Sequence, residues 1–230
     1  MRYRFPILAL MTLLTLLACG PVPEAAPEEV VVDPLRFSQV VSGYKAADSL
    51  QMPRPNSILF VGSSSIHGWH TLAEDFAELR VINRGMGGSH MSDLLYYMDD
   101  IVFPYKPNAI VVYEGDNDIA AGKTPERVLK DVQTFVEKVH ATWPNKPIFY
   151  VAIKPSLARV QVLEHMGAAN ELIKAYLETV ESAYFVDVYH PMLNEQGLPR
   201  EDIFSDDGLH MNATGYALWT QILRQEMGLD

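Results

Sequence analysis

The most constraining feature of this sequence is the order in which apolar runs and helical patterns alternate from about residue 57 onward. The apolar runs are short and mostly unbroken by polar residues, which is typical of strands that are covered on both faces. Strands that alternate with helices favour a parallel sheet, so we predict an α/β domain: a three-layer α/β/α sandwich around a central five-stranded parallel sheet. The predicted strands are 57–61, 80–82, 109–113, 148–153 and 184–188, and the predicted helices are 35–50, 91–103, 124–142, 161–182 and 212–227.

The beginning of the chain has a different character. Arg2 and Arg4 precede an apolar run at 7–17 that is too short to span a bilayer, a pattern typical of an export signal. The run ends in LLACG at 16–20, which resembles a bacterial lipobox, where the signal is cut before a cysteine that then carries lipid. A plain signal peptide that contains a cysteine is the alternative. We predict a lipoprotein signal peptide at 1–18, a lipidated Cys19 with an extended proline-rich tether at 19–34, and one folded domain at 35–230.

Charge and cysteine content limit the partners. The chain has 18 Lys and Arg against 29 Asp and Glu, a formal net charge of −11. Such a surface repels phosphate backbones, so no nucleic acid partner is expected. Cys19 is the only cysteine, which excludes an internal disulfide. Its lipid would anchor the protein to a bacterial membrane, which predicts a location in the cell envelope, on the outer membrane if the bacterium is Gram-negative.

Four polar segments follow predicted strands or precede the last helix, which is where ligands bind in open α/β sheets. They are GSSSI at 62–66, NRGMGGS at 83–89, EGDND at 114–118 and SDDGLH at 205–210. Each alone is a weak signal, because serine turns, glycine loops and Asx turns are common without any catalytic role. A calcium loop that opens at Asp116 fails on spacing, because its twelfth position is Arg127.

The residue types in these segments fit nucleophilic catalysis. Asp207 and His210 are three residues apart, so the carboxylate can accept a bond from one imidazole nitrogen and leave the other nitrogen free as a base. The side-chain amide of Asn117 can donate a hydrogen bond to a developing oxyanion.

Taken together, the four segments resemble the SGNH hydrolases, also called GDSL esterases and lipases, over residues 57–220. The resemblance implies a flavodoxin-like fold, a triad of Ser64, Asp207 and His210, and an oxyanion hole formed by the backbone N–H groups of Ser64 and Gly88 with the Asn117 side chain. One position departs from the family pattern, because Ser63 stands where an Asp usually precedes the nucleophile.

The function implied by this resemblance is a serine esterase, an acylhydrolase that cleaves carboxylic esters through an acyl-serine intermediate. Its substrate would be a small-molecule or glycan ester, with no metal or organic cofactor. An acyltransferase or a carbohydrate O-acetyl esterase would use the same triad, and a binding protein on the same frame would leave the site inactive. A less favoured alternative is a metal-dependent phosphoesterase with the ligands Asp116, Asp118, Asp207 and His210.

Overall fold

The computed structural model describes residues 33–229. The strands are β1 (Ile58–Gly62), β2 (Val81–Gly85), β3 (Ala109–Tyr113), β4 (Ile148–Val151) and β5 (Ala183–Val186). The helices are α1 (Ser38–Leu50), α2 (Ser64–His67), α3 (Leu72–Asp75), α4 (Met91–Ile101), α5 (Asp116–Ala120), α6 (Pro125–Thr142), α7 (Leu163–Leu177) and α8 (Ala213–Glu226). Short 3₁₀ turns lie at Pro34–Phe37, Phe103–Tyr105, Leu157–Val162, His190–Met192 and Glu201–Ile203.

The five strands form one parallel sheet in the order β2-β1-β3-β4-β5. The register places Gly62 opposite both Gly85 and Tyr113, so the first three strands end at the same level. The segments that follow these strands therefore emerge side by side at the carboxyl ends of the strands. The predicted α/β fold with a five-stranded parallel sheet is confirmed.

Two apolar cores lie on opposite faces of the sheet, because alternate side chains of each strand point to opposite sides. On one face, Leu59 and Val61 belong to the core formed with α1, α4, α6 and α7. On the other face, Phe60 packs with Trp69 and Phe76 and belongs to the core that contains Trp219 of α8. This second core holds the α2 region and α8 against the same side of the sheet.

The helix starts follow the sequence closely. Thr124 caps α6 by accepting a hydrogen bond from the Arg127 N–H, and Pro125 occupies the first turn, where its missing N–H costs nothing. Asn212 caps α8 by accepting from the N–H groups of Thr214 and Gly215. Both caps were expected from the residue types at these positions.

Strand β2 is longer than the sequence predicted. We expected a loop from residue 83, but residues 83–85 continue the strand and pair with residues 60–62 of β1. Because β2 is the outer strand of the sheet, its polar residues lie at a partly exposed edge, which weakens the apolar signal that marks the inner strands. Strand β4 and helix α7 are shorter than the predicted 148–153 and 161–182.

The part of the chain that the structure describes begins with a short 3₁₀ turn. The predicted signal peptide, Cys19 and the tether up to residue 32 lie outside the described residues. Asp33 accepts a hydrogen bond from the Leu35 N–H at the start of the first 3₁₀ turn. None of the helices within residues 33–229 combines the length and the apolar character that a membrane-crossing segment needs.

Candidate active site

The serine segment turns sharply at the end of β1. Gly62 has φ +134°, and a Cβ on it would lie 2.0 Å from the carbonyl oxygen of Tyr113, so only glycine fits there. The Ser63 N–H donates to the same carbonyl at 3.0 Å. Ser63 and Ser65 are buried, whereas Ser64, the first residue of α2, is partly exposed. Among these consecutive serines, Ser64 therefore has the most access to a substrate.

The glycine-rich loop after β2 lies beside this turn. Gly88 is exposed, has φ +83°, and has open space within 4 Å of the position its Cβ would take. The loop is held against the end of β3, because the buried Ser89 hydroxyl donates to Glu114 Oε1 at 2.5 Å. Asn117 at the start of α5 donates from Nδ2 to the Ser89 carbonyl oxygen at 2.9 Å. Asn117 and the loop that carries Gly88 are thus joined directly.

Glu114 accepts the hydrogen bond that holds this loop. It is fully buried, and desolvation, with the negative charge of Asp118 nearby, raises the pKa of its carboxyl well above the ordinary value. The Tyr150 hydroxyl donates to the Glu114 backbone carbonyl at 2.7 Å, which ties β4 to the end of β3.

Asp207 and His210 form a hydrogen-bonded pair. The imidazole Nδ1 lies 2.6 Å from Asp207 Oδ2, and the N–H groups of Leu209 and His210 donate to Asp207 Oδ1 at 2.9 Å each. These bonds, with the His210 contact as the largest effect, lower the pKa of Asp207 to about 2. With Nδ1 bonded to the carboxylate, Nε2 remains available as a base.

The loop that carries this pair is attached to the segment after β4 and to the α2 region. Lys154 Nζ donates to the Leu209 carbonyl oxygen at 2.7 Å, and the Ala158 N–H donates to the Gly208 carbonyl at 3.0 Å. On the other side, the Tyr216 hydroxyl of α8 donates to the Ser65 carbonyl at 3.1 Å. An open cleft of about 390 Å³ lies between the region around α2 and the start of α8, and its lining includes Gly68, Met211 and Asn212.

The chain contains a second Asp-x-x-His pair that the sequence analysis did not single out. His190 Nδ1 lies 2.7 Å from Asp187 Oδ2, and the His190 N–H donates to Asp187 Oδ1 at 3.1 Å. This pair follows β5, the outer strand on the side opposite to β2. Strands β3 and β4 therefore lie between this pair and β1, the strand that leads to Ser64. The geometry of the pair alone therefore does not identify a catalytic site, and its position in the fold has to be considered as well.

Two of the acidic residues proposed as metal ligands, Asp116 and Asp118, are bound to cations of the protein instead. Asp116 Oδ2 accepts from Arg159 at 3.0 Å. The buried Asp118 accepts from Lys123 Nζ at 2.7 Å and from the Met91 N–H. Within residues 33–229, no group of three or more His, Cys, Asp or Glu side chains is placed to share a metal ion. These contacts do not favour the phosphoesterase alternative.

Three polar residues of the site were not predicted individually from the sequence: Glu114, Lys154 and Arg159. Lys154 and Arg159 lie on the segment after β4, which reaches Asn117 on one side and the Asp207–His210 loop on the other. The one available signal was their position after a predicted strand, since a lone Lys or Arg carries no motif.

Most of the folded domain matches one known protein family. Residues 55–218 match the GDSL-like Lipase/Acylhydrolase family, which is well over half of the chain. The chain belongs to this family. The GDSL part of the resemblance noted in the sequence is thereby confirmed, and the chain is assigned to a hydrolase family. No curated protein matches the chain significantly.

Solved structures share the fold of this GDSL-family protein at low sequence identity. A Streptococcus pneumonia protein with a provisional description as a platelet activating factor has a TM-score of 0.75 and 21% identity, over 83% of this chain and 92% of that chain. A GDSL-like lipase from Bacteroides thetaiotaomicron has a TM-score of 0.67 and 18% identity, over 85% and 97%. A mutant of an acetyl-xylooligosaccharide esterase from Geobacillus has a TM-score of 0.59 and 15% identity, over 77% and 96%.

Proposed function

We propose that this GDSL-family protein is a serine esterase that cleaves carboxylic esters through an acyl-serine intermediate. Ser64 is the nucleophile, His210 is the general base and acid, and Asp207 orients and stabilises the imidazole. The backbone N–H groups of Ser64 and Gly88 and the side-chain amide of Asn117 form the oxyanion hole. The observation that carries the proposal is the 2.6 Å bond between His210 Nδ1 and Asp207 Oδ2, on a loop fastened to the edge of the sheet that holds the serine turn.

The reaction follows from these roles. A serine hydroxyl becomes a strong nucleophile only when a base takes its proton, and His210 Nε2 takes it as the Ser64 oxygen attacks the ester carbonyl carbon. The carbonyl oxygen becomes an oxyanion held by the three donors. His210 then protonates the leaving alcohol, and the acyl group remains on Ser64. Water, deprotonated by His210, attacks the acyl-serine and releases the acid, which restores the enzyme.

Labelling with a fluorophosphonate probe tests the nucleophile, because only an activated serine reacts with it. We expect the wild-type protein to be labelled and to hydrolyse short p-nitrophenyl esters. Ser64→Ala should lose labelling and at least about 10³-fold in kcat. Ser65→Ala is the matched control, since it removes a neighbouring buried hydroxyl, and it should keep both activities. Full activity of Ser64→Ala, or equal losses in both variants, would contradict the assignment.

The identity of the base is tested by a second matched pair. His210→Gln and His190→Gln each remove an imidazole that bonds an aspartate three residues before it. We expect only His210→Gln to lose ester hydrolysis. Activity that is lost in His190→Gln and kept in His210→Gln would move the catalytic base to the end of β5. A chelator should leave the activity of the wild-type protein unchanged, whereas a metal-dependent phosphoesterase would lose it.

We further propose that the protein is a lipoprotein anchored to a membrane of the bacterial envelope through lipid on Cys19. The basic start, the apolar run and the lipobox-like LLACG support this proposal. Expressed as the full chain in a bacterium, the protein should incorporate an alkyne-labelled fatty acid and enter the detergent phase of a Triton X-114 extract. Cys19→Ser should do neither. An unlabelled wild-type protein in the aqueous phase would refute the anchor and leave the esterase proposal unaffected.

A further inference from the structure

The side-chain amide of Asn117 is bonded at both ends. Its Nδ2 donates to the Ser89 carbonyl at 2.9 Å, and its Oδ1 accepts from Arg159 Nη2 at 2.8 Å. The amide nitrogen carries two hydrogens, so one N–H remains for a substrate oxyanion after the bond to Ser89 is made. The oxygen end of the amide is held by a cation.

These two bonds determine which end of the amide faces the substrate. A carboxamide has nearly the same shape when its nitrogen and oxygen are exchanged, so its orientation depends on its partners. In the reversed orientation, the Asn117 oxygen would face the Ser89 carbonyl and its NH₂ group would face the Arg159 guanidinium. Both contacts would be repulsive, so Arg159 and Ser89 together favour the orientation with the donor toward the oxyanion hole. The positive charge of the Arg159 guanidinium beside Oδ1 also polarises the amide and strengthens its N–H donors.

Arg159 is held in turn by the neighbouring Asp116. Arg159 Nη1 lies 3.0 Å from Asp116 Oδ2, and the Asp116 side chain is 3% exposed against 16% for Arg159. An unpaired carboxylate this close to the site would repel an oxyanion, and the guanidinium neutralises it. The other carboxylate oxygen, Oδ1, accepts from the Ser63 hydroxyl at 3.3 Å. Asp116 thus bonds both Arg159 and Ser63, the residue directly before Ser64.

We propose that Arg159, fixed by Asp116, is a positioning residue of the oxyanion hole that sets the orientation and donor strength of the Asn117 amide. The proposal rests on the proposed esterase function, because it assigns Asn117 to an oxyanion that forms only in that reaction.

The test measures kcat and KM for p-nitrophenyl acetate in Arg159→Met, Asn117→Ala and the double variant. Arg159→Met should lower kcat by about 10- to 10²-fold with KM within about twofold, since an oxyanion exists in the transition state and not in the bound ester. Adding Arg159→Met to Asn117→Ala should cost nothing more once Asp116→Asn removes the carboxylate that would otherwise be left unpaired, because the amide that Arg159 positions is gone. Arg159→Lys should recover part of kcat, since one ammonium can bond one partner but cannot hold Asp116 and Asn117 together.

Two controls separate this role from simple loss of an ion pair. Arg84→Met removes a comparably buried pair, with Asp48, and should lower stability with kcat within about twofold. Asp116→Asn combined with Arg159→Met removes both charges, so no buried carboxylate is left unpaired to destabilise the fold. It should stay folded by circular dichroism and still show the fall in kcat. A full additional loss in the Asn117→Ala background, or a change in KM alone, would overturn the proposal. Absence of fluorophosphonate labelling in the wild-type protein would instead refute the esterase function.

Discussion

Lys154 donates a hydrogen bond from Nζ to the carbonyl oxygen of Leu209, at 2.7 Å, and Leu209 lies between Asp207 and His210 in the chain. The Lys154 side chain is almost fully buried, with its ammonium group 5.6 Å from the centre of the Phe204 ring. Burial lowers the pKa of Lys154 to about 8, against the opposing attraction of Asp116. A buried amine is costly to place, so its single bond to the Asp207–His210 loop points to a positioning role.

The first prediction concerns this bond. Lys154→Met keeps the apolar stem and removes the donor, which leaves the Leu209 carbonyl without that partner and frees the loop to shift. Because a displacement of about 1 Å in a catalytic group can cost up to about 10²-fold, we expect kcat for ester hydrolysis to fall by about 10- to 10²-fold. Steady-state kinetics on p-nitrophenyl acetate measures it.

Lys146→Met is the matched control for Lys154→Met. Lys146 also donates to a backbone carbonyl, that of Pro107 at 2.7 Å, but it lies before β4, at the end of the strand opposite to the site. Its substitution should leave kcat unchanged within about twofold. Equal kinetic losses in the two variants would show that the Lys154 effect is a general loss of stability and not a loss of loop position.

The second prediction follows from the lowered pKa of Lys154. Its ordinary value is 10.5, so between pH 8 and 10.5 the unfolded chain holds this proton more tightly than the folded chain does. Unfolding then takes up protons, and this residue makes the folded state more stable as pH rises through that window. Compared with Lys154→Met, the wild-type free energy of unfolding should increase by on the order of 3 kcal/mol from pH 7 to above pH 10.

Urea unfolding of both proteins at a series of pH values measures this difference. Using the difference between the two proteins cancels the other groups that titrate in the same range, mainly tyrosines. A difference that is independent of pH, or one that falls as pH rises, would show that the Lys154 ammonium keeps its ordinary affinity for protons in the folded protein.

Much of the fold follows from the sequence because local patterns decide it. Inner strands such as β3 are apolar on both faces, so an unbroken apolar run identifies them, and the caps at Thr124 and Asn212 mark helix starts by their own chemistry. Strand β2 is longer than predicted. Its position at the edge of the sheet allows the polar residues Asn83 and Arg84 within the strand, and this position depends on the strand order, which is a long-range property.

The residues of the candidate site also divide into those that a local motif marks and those that only long-range contacts reveal. The serine turn, the glycine loop and the Asp-x-x-His pair are local motifs, and the sequence contains them as continuous segments. Arg159 and Lys154 act on residues 42 and 55 positions away, so their partners become visible only when the sheet is assembled. The reverse failure occurs at Asp187 and His190, which repeat the local motif in a place where the fold separates them from the serine turn.

The third prediction compares the two aspartates of these pairs. Asp207→Asn removes the charge that holds the His210 imidazole in its working tautomer, and such a change typically costs about 10⁴-fold in kcat. Asp187→Asn makes the same chemical change beside His190 and should keep wild-type kcat. Because the pKa of Asp207 is lowered to about 2, its carboxylate stays ionised from neutral pH down to about pH 3.

A fall of wild-type kcat/KM with acidification in that range is therefore not caused by protonation of Asp207. A pH–rate profile with p-nitrophenyl acetate between pH 4 and 8 measures this dependence. Loss of activity in Asp187→Asn, with Asp207→Asn unimpaired, would contradict the assignment of the triad.

The fourth prediction concerns the backbone of the proposed oxyanion hole. Gly88 and Gly197 have φ of +83° and +73°, and neither has an atom within 4 Å of the position that a Cβ would take. Alanine at either site is therefore strained by its backbone conformation alone, at a cost of about 1–2 kcal/mol. Thermal unfolding should show similar losses for Gly88→Ala and Gly197→Ala.

Their activities should differ, because relief of the strain at residue 88 rotates the N–H that would face the oxyanion, whereas residue 197 lies in the loop between Asn194 and Leu198. We expect Gly88→Ala to lower kcat by about 10- to 10²-fold with little change in KM, and Gly197→Ala to keep kcat. If Gly88→Ala loses the expected stability and still turns over esters at the wild-type rate, then the backbone N–H of residue 88 takes no part in stabilising the oxyanion.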